Sequence, residues 1–234
     1  MNHIDYIILF VMLIFALMGA YNGCVVSGLG LLSSIFSWIT SFIFYPVLSK
    51  FIVYHHPNLI KTLIYYTEGA SKIQSIEEQA LLVSSLTPEQ ITNIVDRAQL
   101  PPPFNRLVLA NILNRALPHL STVGEYFNYS IAYIILNIVC FIALFLIIRM
   151  ICQIGISIAK EVFGLPSLKK YDGLAGAGIG ILRGMFFVSL LFSLVPVILT
   201  LAPVDIIYSL IENSLMGRFF FKSNIFTNLI RGTI

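Results

Sequence analysis

Four long apolar stretches constrain this chain more than any other feature of its sequence. They run roughly over residues 4–20, 25–48, 130–158 and 176–201. A helix that crosses a bilayer needs about 20 consecutive, mostly apolar residues, and each stretch is close to that length or longer. Only 11% of the residues are charged, whereas a soluble domain carries about 25%. The sequence therefore predicts an all-α integral membrane protein with four transmembrane helices.

The spacing of these stretches predicts how the chain is organised. The first two are separated only by Tyr21-Asn22-Gly23-Cys24, a turn signal with no room for a soluble loop. Four regions follow: a first transmembrane hairpin (1–49), an amphipathic helical lobe (50–128), a second pair of transmembrane helices (129–203) and an amphipathic C-terminal tail (204–234). A kink is expected at Pro196 in the fourth span.

The lobe between the second and third spans shows helix signals separated by breakers. Residues 75–86 are typical of one short helix, and Thr87-Pro88-Glu89-Gln90 predicts a capping box that opens a helix to about Ala98. Pro101-Pro102-Pro103 ends it. In the next helix, residues 105–117, the spacing favours an apolar face that contains Leu109, Leu113, Ala116, Leu117 and Leu120 and excludes Arg106, Asn111, Asn114 and Arg115.

Glycines repeat every four residues at the start of the fourth span. Gly176, Gly180 and Gly184 form one smooth stripe on a helix, against which a second helix can pack backbone to backbone. Gly19 and Gly23 repeat the spacing in the first hairpin. A phosphate-binding loop is the alternative, but the order is GxGxG, no strand precedes it and a membrane helix follows. Helix packing is therefore the favoured role.

Few charges lie inside the spans, and each is a candidate for function. Asp172 stands just before the glycine stripe and Arg183 within it, eleven positions later. They share a helix face but stand about 16 Å apart. Arg149 lies near the end of the third span, one turn from Gln153. For both arginines, a structural or interfacial anchoring role is favoured over a functional one.

No pattern of catalytic or metal-binding residues is recognisable. The cysteines Cys24, Cys140 and Cys152 show no zinc spacing, and the adjacent His55 and His56 would point apart on a helix. Ser33, Ser34 and Ser37 line the second span at packing spacing without a base to activate them. We expect no enzymatic activity, no cofactor and no metal, and the net charge of +3 is too small to indicate a nucleic-acid partner.

Motifs at both ends of the chain resemble the colicin V production protein family. They are Ile4-Asp5 at the start of the first span, Gly19-x-x-x-Gly23 at the hairpin, and Asp172 followed by Gly176 and Gly180-Ile181-Leu182-Arg183-Gly184. The resemblance carries over to these eight positions: Asp5, Gly19, Gly23, Asp172, Gly176, Gly180, Arg183 and Gly184. Family members usually have a basic residue near the first hairpin, where this chain has Asn22 and Cys24.

The resemblance implies a multi-pass protein of the bacterial plasma (inner) membrane that supports toxin production or secretion, or envelope maintenance. Its expected partners are the lipid bilayer and further copies of itself or other membrane proteins. The alternative is a small oligomeric channel or transporter, which would gather Asn137, Arg149, Gln153 and Arg183. Lys160, Lys169 and Lys170 in the loop between the third and fourth spans favour a cytoplasmic loop, with both termini outside.

Overall fold

The computed structural model describes residues 2–163, 172–201, 205–224, 226 and 229–233. The described residues are α-helical and contain no β-strand, which confirms the all-α prediction. The helices are α1 (His3–His55), α2 (Pro57–Thr67), α3 (Ile76–Ala80), α4 (Pro88–Arg97), α5 (Phe104–Leu113), α6 (Val123–Phe163), α7 (Asp172–Phe192), α8 (Val195–Leu201), α9 (Asp205–Glu212) and α10 (Leu215–Lys222).

Three helical segments of the described chain are long and apolar enough to cross a membrane: His3–His55, Val123–Ala159 and Asp172–Leu201. The first one combines the first two apolar stretches of the sequence. Its 53 residues would extend about 80 Å as a straight helix, well beyond the hydrocarbon core of about 30 Å. The helix is not straight, because Gly23 has φ 78° and ψ 173°.

Gly23 divides α1 into a first arm (residues 3–22) and a second arm (residues 24–55). The Ser27 hydroxyl donates a hydrogen bond to the Gly19 carbonyl at 3.1 Å. In a straight helix these two residues would be separated by a rise of about 12 Å, so the chain turns sharply between them. The turn falls within the predicted hairpin at residues 21–24.

The predicted kink at Pro196 takes the form of a break between α7 and α8. Ser193 and Leu194 form a turn there, and the Ser193 N–H is shared by the Ser189 and Leu190 carbonyls, each at 3.1 Å. Pro196 is the second residue of α8. At that position its missing N–H costs no intrahelical hydrogen bond.

The chain forms two compact units, each assembled from separate segments. Unit 1 comprises Met1–Phe44, Phe141–Ser193 and Asp205–Asn224, and unit 2 comprises Tyr45–Cys140, Leu194–Val204 and Ile225–Ile234. In unit 2, most residues in the first half of α6 are buried, and Phe127, Ile131 and Ile138 are fully buried. This part of α6 is the central element of that unit.

The lobe helices lie in unit 2. The capping box opens α4 as predicted, because Thr87 and Gln90 cap each other. Residues 75–86 do not form one helix. Only Ile76–Ala80 are α-helical, and a 3-10 turn follows at Val83–Ser85.

The predicted face of α5 is wrong. The buried residues are Phe104, Leu107, Val108, Asn111 and Ile112, whereas Leu113 is 42% exposed. The predicted helix also continued to residue 117, but α5 ends at Leu113, followed by Arg115 at φ 48°. A buried asparagine therefore replaces a leucine on the packed face.

Candidate functional site: a helix junction with two arginines

The glycine stripe of α7 lies against the first arm of α1 within the same chain. A Cβ atom added to Gly19 would overlap the Gly176 carbonyl oxygen and lie 3.0 Å from the Gly180 Cα. One added to Gly180 would overlap the carbonyl of Phe15. Real side-chain atoms do not come this close, so the two backbones touch only because these positions are glycines.

The third glycine of the stripe extends the junction by one more turn. A Cβ atom added to Gly184 would lie 3.4 Å from the Cα of Met12. The first arm contacts α7 at residues 19, 15 and 12, whose partners on α7 are residues 176, 180 and 184 respectively. The residue numbers fall along the first arm as they rise along α7. The first arm and α7 are antiparallel over about two helical turns.

Asp172 lies at the end of the same junction, beside the Gly23 turn. Its carboxylate accepts a hydrogen bond from the Cys24 N–H at 2.7 Å and occupies the place where a Gly23 side chain would begin. Cys24 opens the second arm, whose first N–H groups have no intrahelical partner. A negative charge at a helix N-terminus is favourable, so Asp172 stabilises the turn.

Arg183 lies eleven residues further along α7, against the second arm of α1. Its Cζ and Nη1 atoms lie 2.7 Å from the position that a Cβ would take on Gly30. The Arg183 Nε is buried and has no hydrogen-bond partner among the described residues. Because Cys24 meets Asp172 and Gly30 meets Arg183, the second arm runs parallel to α7. The two arms therefore form an antiparallel hairpin.

Arg149 reaches the second arm from α6. Its Nη1 donates a short hydrogen bond to Ser34 Oγ, and its guanidinium lies 6.0 Å from the ring centre of Phe145. Ser34 in turn donates to the Gly30 carbonyl at 2.9 Å. Since residues 30 and 34 are one helical turn apart, the Arg149 and Arg183 guanidinium groups lie beside neighbouring turns of one helix face.

The second arm presents small residues along that face. They are Ser27, Gly30, Ser34, Ser37 and Ser41, and all five are buried. Ser37 and Ser41 donate to the carbonyls of Ser33 and Ser37, four residues earlier. We call this row the serine strip. The neighbouring Ser33 is 7% exposed, and its hydroxyl has no hydrogen-bond partner among the described residues.

No carboxylate balances the two arginines within the described part of the chain. The ion pairs there are Arg97–Glu78 and Lys222–Glu212. Ser34 and Arg183 each stand about 16 Å beyond the Gly23 turn and the start of α7, which is half of a hydrocarbon core about 30 Å thick. An arginine at the centre of a membrane span would cost about 2.5–3.5 kcal/mol by insertion measurements, so charges inside a span are candidates for function.

Asp5 belongs to a second polar cluster of unit 1. Its carboxylate accepts hydrogen bonds from Ser214 Oγ at 2.6 Å and from the Met216 N–H at 3.0 Å. Ser214 itself caps α10, since its hydroxyl accepts from the Gly217 N–H at 2.8 Å. Asp5 thereby holds the start of α10 against the first turn of α1.

The predicted site residues thus fall into two groups. Gly19, Gly23, Asp172, Gly176, Gly180, Gly184, Arg149 and Arg183 meet around the α1 hairpin, whereas Asp5 lies at the tail. Asn137 lies in unit 2, where it donates to the Arg231 and Thr233 carbonyls. Lys169 and Lys170 lie outside the described residues. No group of three His, Cys, Asp or Glu side chains among the described residues could hold a metal ion.

Sequence reasoning recognised Gly30 and Ser34 as small residues of the second span but missed that the two arginines contact them. Their signal was present in the spacing of the strip, since residues 27, 30, 34, 37 and 41 alternate steps of three and four. That period places small residues on one helix face. It does not reveal that two arginines from other helices end on it.

Long apolar helices joined by a glycine-lined hairpin and a charged junction define a helical membrane protein. The family model described as "Colicin V production protein" matches residues 4–74 and 109–224, well over half of the chain. The chain therefore belongs to the colicin V production protein family, as its motifs predicted. No curated protein and no solved structure matches it significantly.

Proposed function

We propose that this protein is a non-enzymatic, multi-pass component of the bacterial plasma membrane that supports toxin production or secretion, or envelope maintenance. One observation carries the proposal: the two blocks that match the family meet at the α1–α7 junction, where Gly19 and Gly180 touch backbone to backbone. A junction of this kind organises helices in a lipid environment.

Four membrane crossings are part of this proposal. Each arm of α1 would cross once, since a first arm of 20 residues extends about 30 Å, and α6 and α7 with α8 would supply the other two. The lysines of the loop after α6 favour its cytoplasmic location, which places both termini outside. Labelling of single cysteines at Ser75, Lys169 and Ser223, after replacement of the three native cysteines, tests this. Labelling of all three positions from the same side contradicts it.

Partner contacts are proposed on surfaces other than the glycine stripe. Gly176, Gly180 and Gly184 are buried against the first arm of the same chain. Gly178 and Gly155 are exposed and have no atom within 4 Å of an added Cβ. A further copy or another membrane protein would approach such positions, and crosslinking in native membranes identifies it.

Complementation tests the supporting role. In a bacterial host that lacks its own family member, the wild-type protein should restore toxin release or resistance to envelope stress. Gly180→Leu should fail, because the side chain would displace the first arm. Gly178→Leu is the matched control two residues away and should complement. Equal complementation by both variants, at equal membrane levels, would contradict the role of the junction.

A small oligomeric channel or transporter is the second candidate, and the convergence of Arg149 and Arg183 on the serine strip favours it. Polar side chains that meet near the midplane are typical of transport sites. Vesicles reconstituted with the protein should then pass small solutes, and Arg183→Gln should change that flux. Vesicles that stay as tight as protein-free ones contradict this candidate.

A further inference from the structure

We propose that Arg149, Arg183 and the serine strip form a binding site for a phosphate-type oxyanion. The inference goes beyond the supporting role proposed above and does not depend on it. It rests on contacts within unit 1 alone, and binding can be measured on the purified protein.

Geometry brings the donors together. The Gly30 carbonyl and Ser34 Oγ are joined by a hydrogen bond, and the two guanidinium groups end beside these neighbouring residues. Any side chain at Gly30 would fill the space next to the Arg183 guanidinium. The glycine therefore makes room for Arg183 at the strip.

Hydrogen-bonding capacity at the site is left unused. The buried Arg183 Nε has no partner among the described residues, and no hydrogen bond joins the rest of its guanidinium to them. Arg149 uses Nη1 for Ser34. Buried donors of this kind are normally satisfied, and a guanidinium presents its donors as a planar fork that matches oxygen pairs of phosphate.

The positive charges of Arg149 and Arg183 indicate which class of ligand the site would bind. The nearest carboxylate on α7, Asp172, is engaged by the Cys24 N–H, and the partly exposed Glu212 is paired with Lys222. A carboxylate ligand would neutralise one of the two arginines. A phosphate monoester carries a charge of about −1.5 to −2 at pH 7 and three acceptor oxygens, which balances both. The serine hydroxyls of the strip already donate to backbone carbonyls, so the two guanidinium groups supply the donors to the ligand.

The phosphate group could come from a free solute or from a lipid headgroup, and the two sources are separable by experiment. The first experiment follows the thermal unfolding of purified protein in neutral detergent. Sodium phosphate is added against sodium chloride at constant ionic strength. In the second experiment the protein is reconstituted in nanodiscs of mixed lipids and then extracted. Mass spectrometry identifies which phospholipids with exposed phosphate groups remain bound.

For the wild-type protein we expect a saturable rise in melting temperature with phosphate, or retention of an anionic phospholipid such as phosphatidic acid. Arg149→Gln and Arg183→Gln should each weaken the apparent affinity at least tenfold. Arg106→Gln, an exposed arginine outside unit 1, should bind as the wild type does. Phosphate stabilisation assigns a solute, and lipid retention alone assigns a headgroup.

Ser34→Ala guards against variants that fail to fold. It removes only the hydroxyl that contacts Arg149, and it should weaken binding several-fold with unchanged helix content by circular dichroism. Two results would overturn the inference: wild-type protein that responds to phosphate no more than to chloride and retains no anionic lipid, or arginine variants that bind as the wild type does. Failure of complementation with intact binding would instead count against the supporting role alone.

Discussion

Asp172 and Gly23 act as one structural device at the scale of single residues. The φ of 78° at Gly23 is a conformation that residues with a side chain rarely adopt. The Asp172 carboxylate occupies the space beside it and accepts the Cys24 N–H. A residue that sequence analysis singled out as a functional charge therefore has a helix-capping role across 148 positions of the chain.

Replacing Asp172 should loosen this turn. Asp172→Ala removes the acceptor of the Cys24 N–H, and loss of a helix N-cap costs about 0.5–2 kcal/mol. Asp172→Asn should cost less, because its amide oxygen still accepts the bond. The measurement is equilibrium unfolding in detergent micelles, with Glu161→Ala at an exposed position of α6 as the control. Equal losses for Glu161→Ala and Asp172→Ala would argue against the capping role.

At the scale of elements, the sequence was sufficient to predict the structure wherever one short segment determines it. The α1 turn follows from the turn signal at residues 21–24 between two apolar stretches, and the start of α4 from a four-residue capping box. The α5 face was not predictable in this way. Asn111 is buried because its amide donates to Ser130 Oγ and to the Gly232 carbonyl, and both partners lie far away in sequence.

The arginine site could likewise be predicted from the sequence only in part. Arg183 and Arg149 could each be recognised as unusual charges within apolar stretches. Their meeting could not, because it depends on the register of α6 and α7 against the second arm of α1. The apolar patterns that predict these helices are nearly uniform around the helix, so they do not specify which side faces which neighbour.

Helices α9 and α10 are joined by an exposed ion pair that makes their contact sensitive to pH. The Lys222 ammonium lies 2.9 Å from the Glu212 carboxylate. This hydrogen bond and the positive charges of Lys222 and Arg218 lower the pKa of Glu212 below its ordinary value. A lowered pKa means that the folded state favours the ionised carboxylate. The stabilisation is thus present above the unfolded-state pKa and is lost as the pH falls through the folded-state pKa.

Glu212→Gln should therefore differ from the wild type only at higher pH. We expect a small loss in melting temperature at pH 7, because exposed ion pairs contribute little. The difference should shrink as the pH falls below the ordinary glutamate pKa and should vanish below the lowered pKa of Glu212, where the wild-type glutamate is protonated in the folded state as well. Thermal unfolding of both proteins across this range measures it, with Glu161→Gln as the control. A difference that persists at low pH would assign the effect to packing and not to the ion pair.

At the scale of the whole molecule, each compact unit is built from segments that are remote in sequence. Residues 229–233 illustrate this in unit 2. Asn137, fully buried in α6, donates to the Arg231 and Thr233 carbonyls at 2.9 and 3.1 Å. The Arg231 N–H donates to the Tyr45 hydroxyl at 2.9 Å. These N–H, hydroxyl and carbonyl groups pair with one another in an otherwise apolar interior, so we expect unit 2 to require the segment.

Deleting residues 229–234 should destabilise unit 2 more than unit 1. The deletion leaves the amides of Asn111 and Asn137, 4% and 0% exposed, without these acceptors, and each buried unsatisfied group costs about 1–3 kcal/mol. Hydrogen–deuterium exchange read by mass spectrometry should show faster exchange in α5 and in the first half of α6. Arg231→Gln is the matched control, because it keeps the backbone groups that Asn137 and Tyr45 bind. Uniformly faster exchange in α7 and α10 would show that the segment supports the entire chain and not unit 2 alone.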